Sequence, residues 1–140
     1  MVGILLITHA PVGAALLAAA RHVFGAEMDD CVYLDVAADE ALTQVHQRAA
    51  GLIARLASPD GVLVFSDLYG ASPCNCAATL SVPGQVEVIA GVSLPLLIRA
   101  LNYRARHHHL SLPALATYLV ASAAQSVIHV VADDHRTASS

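Results

Sequence analysis

A histidine placed directly after one apolar run, and an aspartate placed directly after another, are the residues best suited to chemistry in this chain. His9 follows "ILLIT" and Asp67 follows "VLVFS". A neutral imidazole is a competent nucleophile near pH 7, its ordinary pKa being about 6.5. To attack with one ring nitrogen it needs the other protonated and held, and a carboxylate does that. Beyond Asp67 the chain reads Gly70, Ala71, Ser72, Pro73. That stretch offers a flexible glycine, a hydroxyl, and a helix start whose free amides and dipole attract an anion. A nucleophile, an orienting carboxylate and an anion cradle are what reversible phosphoryl transfer through a histidine requires. Neither a metal nor a cofactor is needed, because the helix end supplies the electrostatic stabilisation.

These residues lie far apart in the chain, so its elements must bring them together. The segments 2–7, 31–36, 62–66, 86–90 and 126–132 read as strands, the first being short and wholly apolar. Helices are expected between them. The first starts at Pro11 and runs to Phe24, with Gly25 as its stop. The second is capped by Asp39 and has one apolar face of Leu42, Val45, Ala49, Leu52, Ile53 and Leu56. Ser72 as N-cap and Pro73 open a third, short helix through Leu80; two more cover 95–103 and 113–124. This alternation predicts an α/β three-layer sandwich, a mainly parallel sheet with helices on both faces, as one domain over 1–132 with a polar tail at 133–140. Sites in such sheets form beyond the carboxyl ends of the strands. The loops bearing Thr8 and His9, Asp67 to Ser72, and Gly91, Ser93 and Pro95 are therefore expected to converge.

Composition removes several alternatives. All seven basic residues are arginine, so a Walker-type phosphate loop, a Schiff-base lysine and a receiver-domain lysine are absent. The net charge of −4, with no basic run, argues against a nucleic-acid partner. No secretory signal is visible at the start, and Cys31, Cys74 and Cys76 lack zinc-ligand spacing; they read as buried thiols of a cytoplasmic protein. From Leu110 to Ala132 the chain carries no Asp, Glu, Lys or Arg. A bilayer span needs about 20 apolar residues. The polar residues within this stretch, and its change to a β-branched pattern, favour a helix followed by a strand instead. The run "RARHHH" at 104–109 has no accompanying carboxylate or thiol and reads as a solvated, partly cationic loop rather than a metal site. Asp35, at the end of the second strand, reads as a loop carboxylate in preference to a residue bordering the site.

Three blocks, "ILLITHAPVG", "VLVFSDLYGASPCNCA" and "VEVIAGVSLPLLIRAL", together resemble the enzyme IIA domain of the mannose family of the bacterial phosphotransferase system. The resemblance covers most of residues 2–103. It implies that His9 accepts a phosphoryl group from the phosphocarrier HPr and donates it to an enzyme IIB partner in sugar uptake. It also implies that Asp67 is the carboxylate beside the histidine and that Ser72 lies at the phosphate with Gly70 and Ala71. Thr8, Asn75, Gly91, Ser93 and Pro95 would shape the site. A further implication is a homodimer in which the last strand, antiparallel to the others, is exchanged between subunits. The membrane would be met only through permease components. Tyr69, Ala71 and Cys74 depart from the family pattern at the rim. A regulatory phosphocarrier, whose phosphorylation is a signal rather than a transport step, is the alternative reading. The subunit serving dihydroxyacetone kinase resembles the chain less well in the "GVSLPLLIRAL" block. A flavin or nucleotide binder would need a glycine-rich first loop, and Thr8-His9-Ala10-Pro11 stands in its place.

Overall fold

A computed structural model describes residues 1–25, 28–107 and 109–132. Four strands form one parallel sheet: β1 (Gly3–His9), β2 (Cys31–Val36), β3 (Val62–Ser66) and β4 (Val86–Ala90), in the order β2-β1-β3-β4. Five helices cover it: α1 (Val12–Phe24), α2 (Leu42–Leu56), α3 (Ser72–Thr79), α4 (Leu94–Arg106) and α5 (Leu112–Ser122). The result is the three-layer α/β sandwich expected from the alternation.

Side chains of a strand alternate between faces, and this splits the core in two. Ile4, Leu6, Leu63 and Phe65 pack with Leu17 and Ala20 of α1, Leu97 and Leu101 of α4, and Leu115 and Leu119 of α5. Leu5, Ile7, Val62 and Val64 pack on the opposite face with Val45 and Ala49 of α2 and Cys76 and Ala77 of α3. Because both faces are covered, β1 through Ile7 and β3 through Phe65 are continuously apolar rather than alternating. The chain leaves β1 toward β2 on one side and resumes at β3 on the other. The carboxyl ends of β1 and β3 thus flank the topological switch point, where sheets of this kind place their crevice.

Several expected boundaries move, each for a local reason. β1 extends to His9 because Thr8 pairs with Asp35 and His9 with Val36 in the parallel ladder. Thr8 and His9 therefore belong to the strand, not to the loop after it. Pro11 precedes α1, and the Ala10–Pro11 peptide is cis. Gly25 ends α1 in the left-handed conformation, its amide bonded to Arg21 O, as expected of a glycine stop. Asp39 does not cap α2. That helix begins at Leu42 after an extended Ala41, and Glu40 takes the Ala37 amide and pairs with Arg48. Ser72 is not an N-cap; Ala71 occupies that position and Ser72 is the first helical residue.

Two larger expectations are corrected. Residues 126–132 do not form a strand in the single chain. Ala123–Ser126 is a 3₁₀ turn, and 127–131 have no regular structure. Val127, Ile128 and Val130 are exposed there. The sheet thus has four strands, with β4 at its edge. The 104–109 run is a solvated loop only in part: Arg106 and His109 are exposed, but α4 continues through Arg106 and Arg104 is buried. Arg104 and Arg106 lie in the last turn of α4, where cations complement the helix dipole. Arg104 is only 6% exposed, and it donates to Val2 O at 2.5 Å, to Asp30 Oδ1 at 2.9 Å and to Cys31 Sγ at 3.2 Å. Burial pushes the Cys31 thiol up to about 11 despite the neighbouring guanidinium, which makes it inert. His107 stacks on Tyr103 and meets His109 edge-on; His108 lies outside the described residues. Cys31, Cys74 and Cys76 are all buried and unpaired by disulfide. Among the described residues, no helix is long and apolar enough to cross a membrane.

Arg104 ties the end of α4 to the starts of β1 and β2. Arg104→Ala would leave Val2 O buried without its donor and should cost about 2 kcal/mol, read as a lower midpoint in urea. Asp30→Asn should cost less than about 1 kcal/mol, because the Asp30 side chain is 41% exposed to water.

Candidate active site

The two residues singled out first lie against each other. His9 ends β1, and Asp67 follows the last residue of the adjacent β3. One carboxylate oxygen, Asp67 Oδ2, meets His9 twice: the ring Nδ1 at 2.9 Å and the backbone amide at 3.1 Å. Asp67 Oδ1 accepts from the Leu68 amide at 3.1 Å. Partial burial of the Asp67 carboxyl opposes its ionisation. The hydrogen bonds from the His9 ring and backbone and from the local amide outweigh it, so its pKa falls below the ordinary 3.8. An ionised carboxylate only accepts, so the ring donates from Nδ1; in the neutral ring that leaves the lone pair on Nε2. The His9 side chain is 48% exposed, against 15% for Asp67. The imidazole is therefore open to solvent while the carboxylate that holds it is shielded.

Pleating decides where the imidazole points. Leu5 and Ile7 face α2 and α3, so His9, two residues further, shares that face. Thr8 faces the other way, toward α1, and is fully buried. Its hydroxyl donates to Asp35 Oδ1 at 3.1 Å. The same oxygen accepts from the Gly13 amide at 3.0 Å, and Asp35 Oδ2 accepts from the Ala14 amide at 3.3 Å. Asp35 is thus a strand residue that caps α1 from β2. Sequence reading left it without this role; the signal available was its place opposite Thr8 once the two strands are aligned in parallel.

The other expected residues fall into two groups. Gly70, Ala71, Ser72 and Asn75 lie on the loop after β3 and the first turn of α3, which packs on the face that His9 shares. Gly70 holds a positive φ of 84°, a turn conformation that a side chain would oppose. Asn75 Nδ2 donates to Gly70 O at 3.1 Å and ties the loop to the helix. Ser72 is exposed, and its hydroxyl is not engaged in capping α3. Gly91, Ser93 and Pro95 follow β4. Gly91, with φ at 89°, and Val92 both donate to Ser66 O, which holds that loop against the end of β3. Ser93 caps α4 by accepting from the Leu96 amide at 3.2 Å, so its hydroxyl has a structural task. Pro95 sits in the first turn of α4 and lines a groove of about 510 Å³ with Arg99, Asn102 and Tyr103. None of these three bonds to His9 or Asp67. Among the described residues, no group of three or more His, Cys, Asp or Glu could hold a metal ion.

The family profile described as PTS system fructose IIA component matches residues 3–117. The PTS system mannose-specific EIIAB component of Escherichia coli (strain K12) is 31% identical over 104 residues, which is 74% of this chain and 32% of that protein. The chain thus spans about a third of the length of that relative. The PTS system fructose-specific EIIA component of Bacillus subtilis (strain 168) is 26% identical over 127 residues, covering 90% of this chain and 84% of that one. Among solved structures, a phosphotransferase system component EIIA from Streptococcus agalactiae superposes with a TM-score of 0.79 at 18% identity, over 92% of this chain and 97% of that chain. A mannose/sorbose specific IIA subunit from Enterococcus faecalis gives 0.76 at 23% identity, over 93% and 95%. The two structures share the fold. The match of the family profile across most of the sequence shows that this chain belongs to the IIA components of the phosphotransferase system, in the mannose/fructose family.

Proposed function

We propose that this chain is a phosphocarrier in which His9 Nε2 accepts a phosphoryl group from phospho-HPr and passes it to an enzyme IIB partner, for sugar uptake. The observation that carries the reading is the double contact of Asp67 Oδ2 with His9, which fixes the Nδ1–H tautomer and leaves Nε2 as the nucleophile. In the forward step the Nε2 lone pair forms a bond to phosphorus. The bond from phosphorus to the donor breaks, and its electron pair leaves with the donor. Nδ1 keeps its proton and its hydrogen bond to Asp67, whose negative charge stabilises the imidazolium that develops.

The phosphoryl oxygens need donors, and the helix starts differ in what they have free. The start of α1 is occupied by Asp35, and that of α4 by Ser93. The first turn of α3 has no side-chain cap, so its amides and the Ser72 hydroxyl are the donors we assign to the phosphate. Gly70 and Ala71 let the backbone approach, while Asn75 holds the loop.

The proposal includes a homodimer in which the segment 126–132 pairs with β4 of a second copy. The sheet ends at β4, where Val82 bridges Val86 at the start of the strand, and the edge beyond it calls for a partner strand. Val127 is 85% exposed, and Ile128 and Val130 are exposed beside it, a β-branched strip that one chain leaves in water.

Incubation with labelled phosphoenolpyruvate, enzyme I and HPr should place acid-labile, base-stable label on the chain. His9→Ala should abolish it and His22→Ala should not; label persisting in His9→Ala would refute the assignment. Asp67→Asn should slow labelling about a hundredfold while the protein stays folded. The depressed Asp67 pKa also has a sign. Its stabilisation is fully present above the unfolded carboxylate pKa and is lost as pH falls through the lower folded value. The urea midpoint of the parent should therefore exceed that of Asp67→Asn above pH ~4 and converge with it in stronger acid. Sedimentation equilibrium should give a dimer, and truncation after Gln125 a monomer.

A further inference from the structure

Asp35 touches neither the imidazole nor Asp67, yet its carboxylate collects three donors from the residues that bracket His9. We infer that Asp35 is a positioning residue: by clamping Thr8 to the first turn of α1 it fixes the short connector that starts at His9, and so holds the imidazole against Asp67. The inference rests on the phosphohistidine reading above for its effect on rate, but not for its effect on the ring.

The clamp grips the chain on both sides of His9. Asp35 Oδ1 holds the Thr8 hydroxyl one residue before it and the Gly13 amide four residues after it. Asp35 Oδ2 holds Ala14. Only Ala10 and Pro11 separate the end of β1 from the start of α1, so little slack remains between these anchors. The Ala10 amide adds a fourth tie to β2, donating to Val36 O at 3.1 Å. From the other side of β1, Asp67 holds the His9 amide and ring. The residue is thus fixed between two carboxylates, one on each neighbouring strand.

A helix cap alone would not require this arrangement. Capping needs only the amide bonds, which a side chain just before the helix normally supplies. Pro11 supplies none, and the cap comes from a strand that also holds the hydroxyl next to the histidine. Because neighbours on a strand point to opposite faces, anchoring Thr8 toward α1 turns His9 toward α3. Gly13 is part of the device. A Cβ there would lie 2.7 Å from Asp35 Oδ1 and 2.8 Å from Thr8 Oγ1, so any side chain would prise the clamp open.

Two readouts test this: the ¹⁵N shifts of the His9 ring in the unphosphorylated chain, which report its tautomer, and the initial rate of labelling from phospho-HPr. Thr8→Val removes one hydroxyl and leaves the carboxylate and its helix bonds in place. Asp35→Asn keeps the volume but turns an amide donor toward a donor. Both should lower the Nδ1–H population and slow labelling about ten- to a hundredfold, as misplacement of a reacting group does. Thr8→Ser should restore most of the loss seen with Val. Unchanged ring shifts and rates within about twofold of the parent in folded Thr8→Val would reduce Asp35 to a helix cap and overturn the inference. Should Asp35→Asn fail to fold, Thr8→Val decides alone. If the parent chain takes no label, the phosphohistidine reading fails, and the ring tautomer still decides the positioning role.

Discussion

A single carboxylate oxygen, Asp67 Oδ2, joins the ends of two neighbouring strands by accepting both the amide and the ring of His9. The bond to the amide fixes where the residue is, and the bond to the ring fixes which nitrogen carries the proton. Neither would exist unless β1 and β3 were adjacent and ended at the same level. The parallel register brings Ile7 opposite Ser66, one residue before Asp67. Much of the molecule maintains that alignment. The two apolar layers grip β1 and β3 on both faces, and the crossovers to β2 and β4 place helix starts around their ends.

The electrostatics of the site come from the backbone and from carboxylates. The chain has no lysine, and its charge is negative overall. Helix amides are a source of positive potential at the carboxyl ends of the strands, and the helix starts there are not equivalent. Asp35 neutralises one helix start and Ser93 satisfies another, while the starts of α2 and α3 carry no side-chain cap; of these two, α3 follows the loop that begins at Asp67. Asp67 stays ionised because its hydrogen bonds outweigh its burial. It can thus balance a cationic ring without drawing the proton away.

Strands and their order of use were legible because buried parallel strands are short, continuous apolar runs bounded by turns. The convergence of His9 and Asp67 followed from that pattern and a general rule about where such sheets bind ligands. What was not legible depended on partners remote in sequence. Thr8 and His9 read as a junction because the ladder to Asp35 and Val36 that lengthens β1 is a tertiary fact. Asp35 read as a bystander for the same reason. Arg104 sat in a run that looked solvated, and only the fold shows Val2 O and Asp30 waiting for it. The final β-branched run has strand composition, but composition alone cannot form a ladder. Within one chain, residues 127–131 have no regular structure.

The placement of His9 as the last residue of a two-sided strand makes parity matter. In β1, odd positions from Leu5 to His9 look toward α3 and even ones toward α1. Deleting or inserting one residue within that strand would hand the imidazole to the wrong layer, even where the shifted sequence met every hydrophobic requirement of the core. Drift in length is therefore far better tolerated after β2 or β4 than inside the first nine residues. In this segment the chain can change its letters, within limits, but not its count.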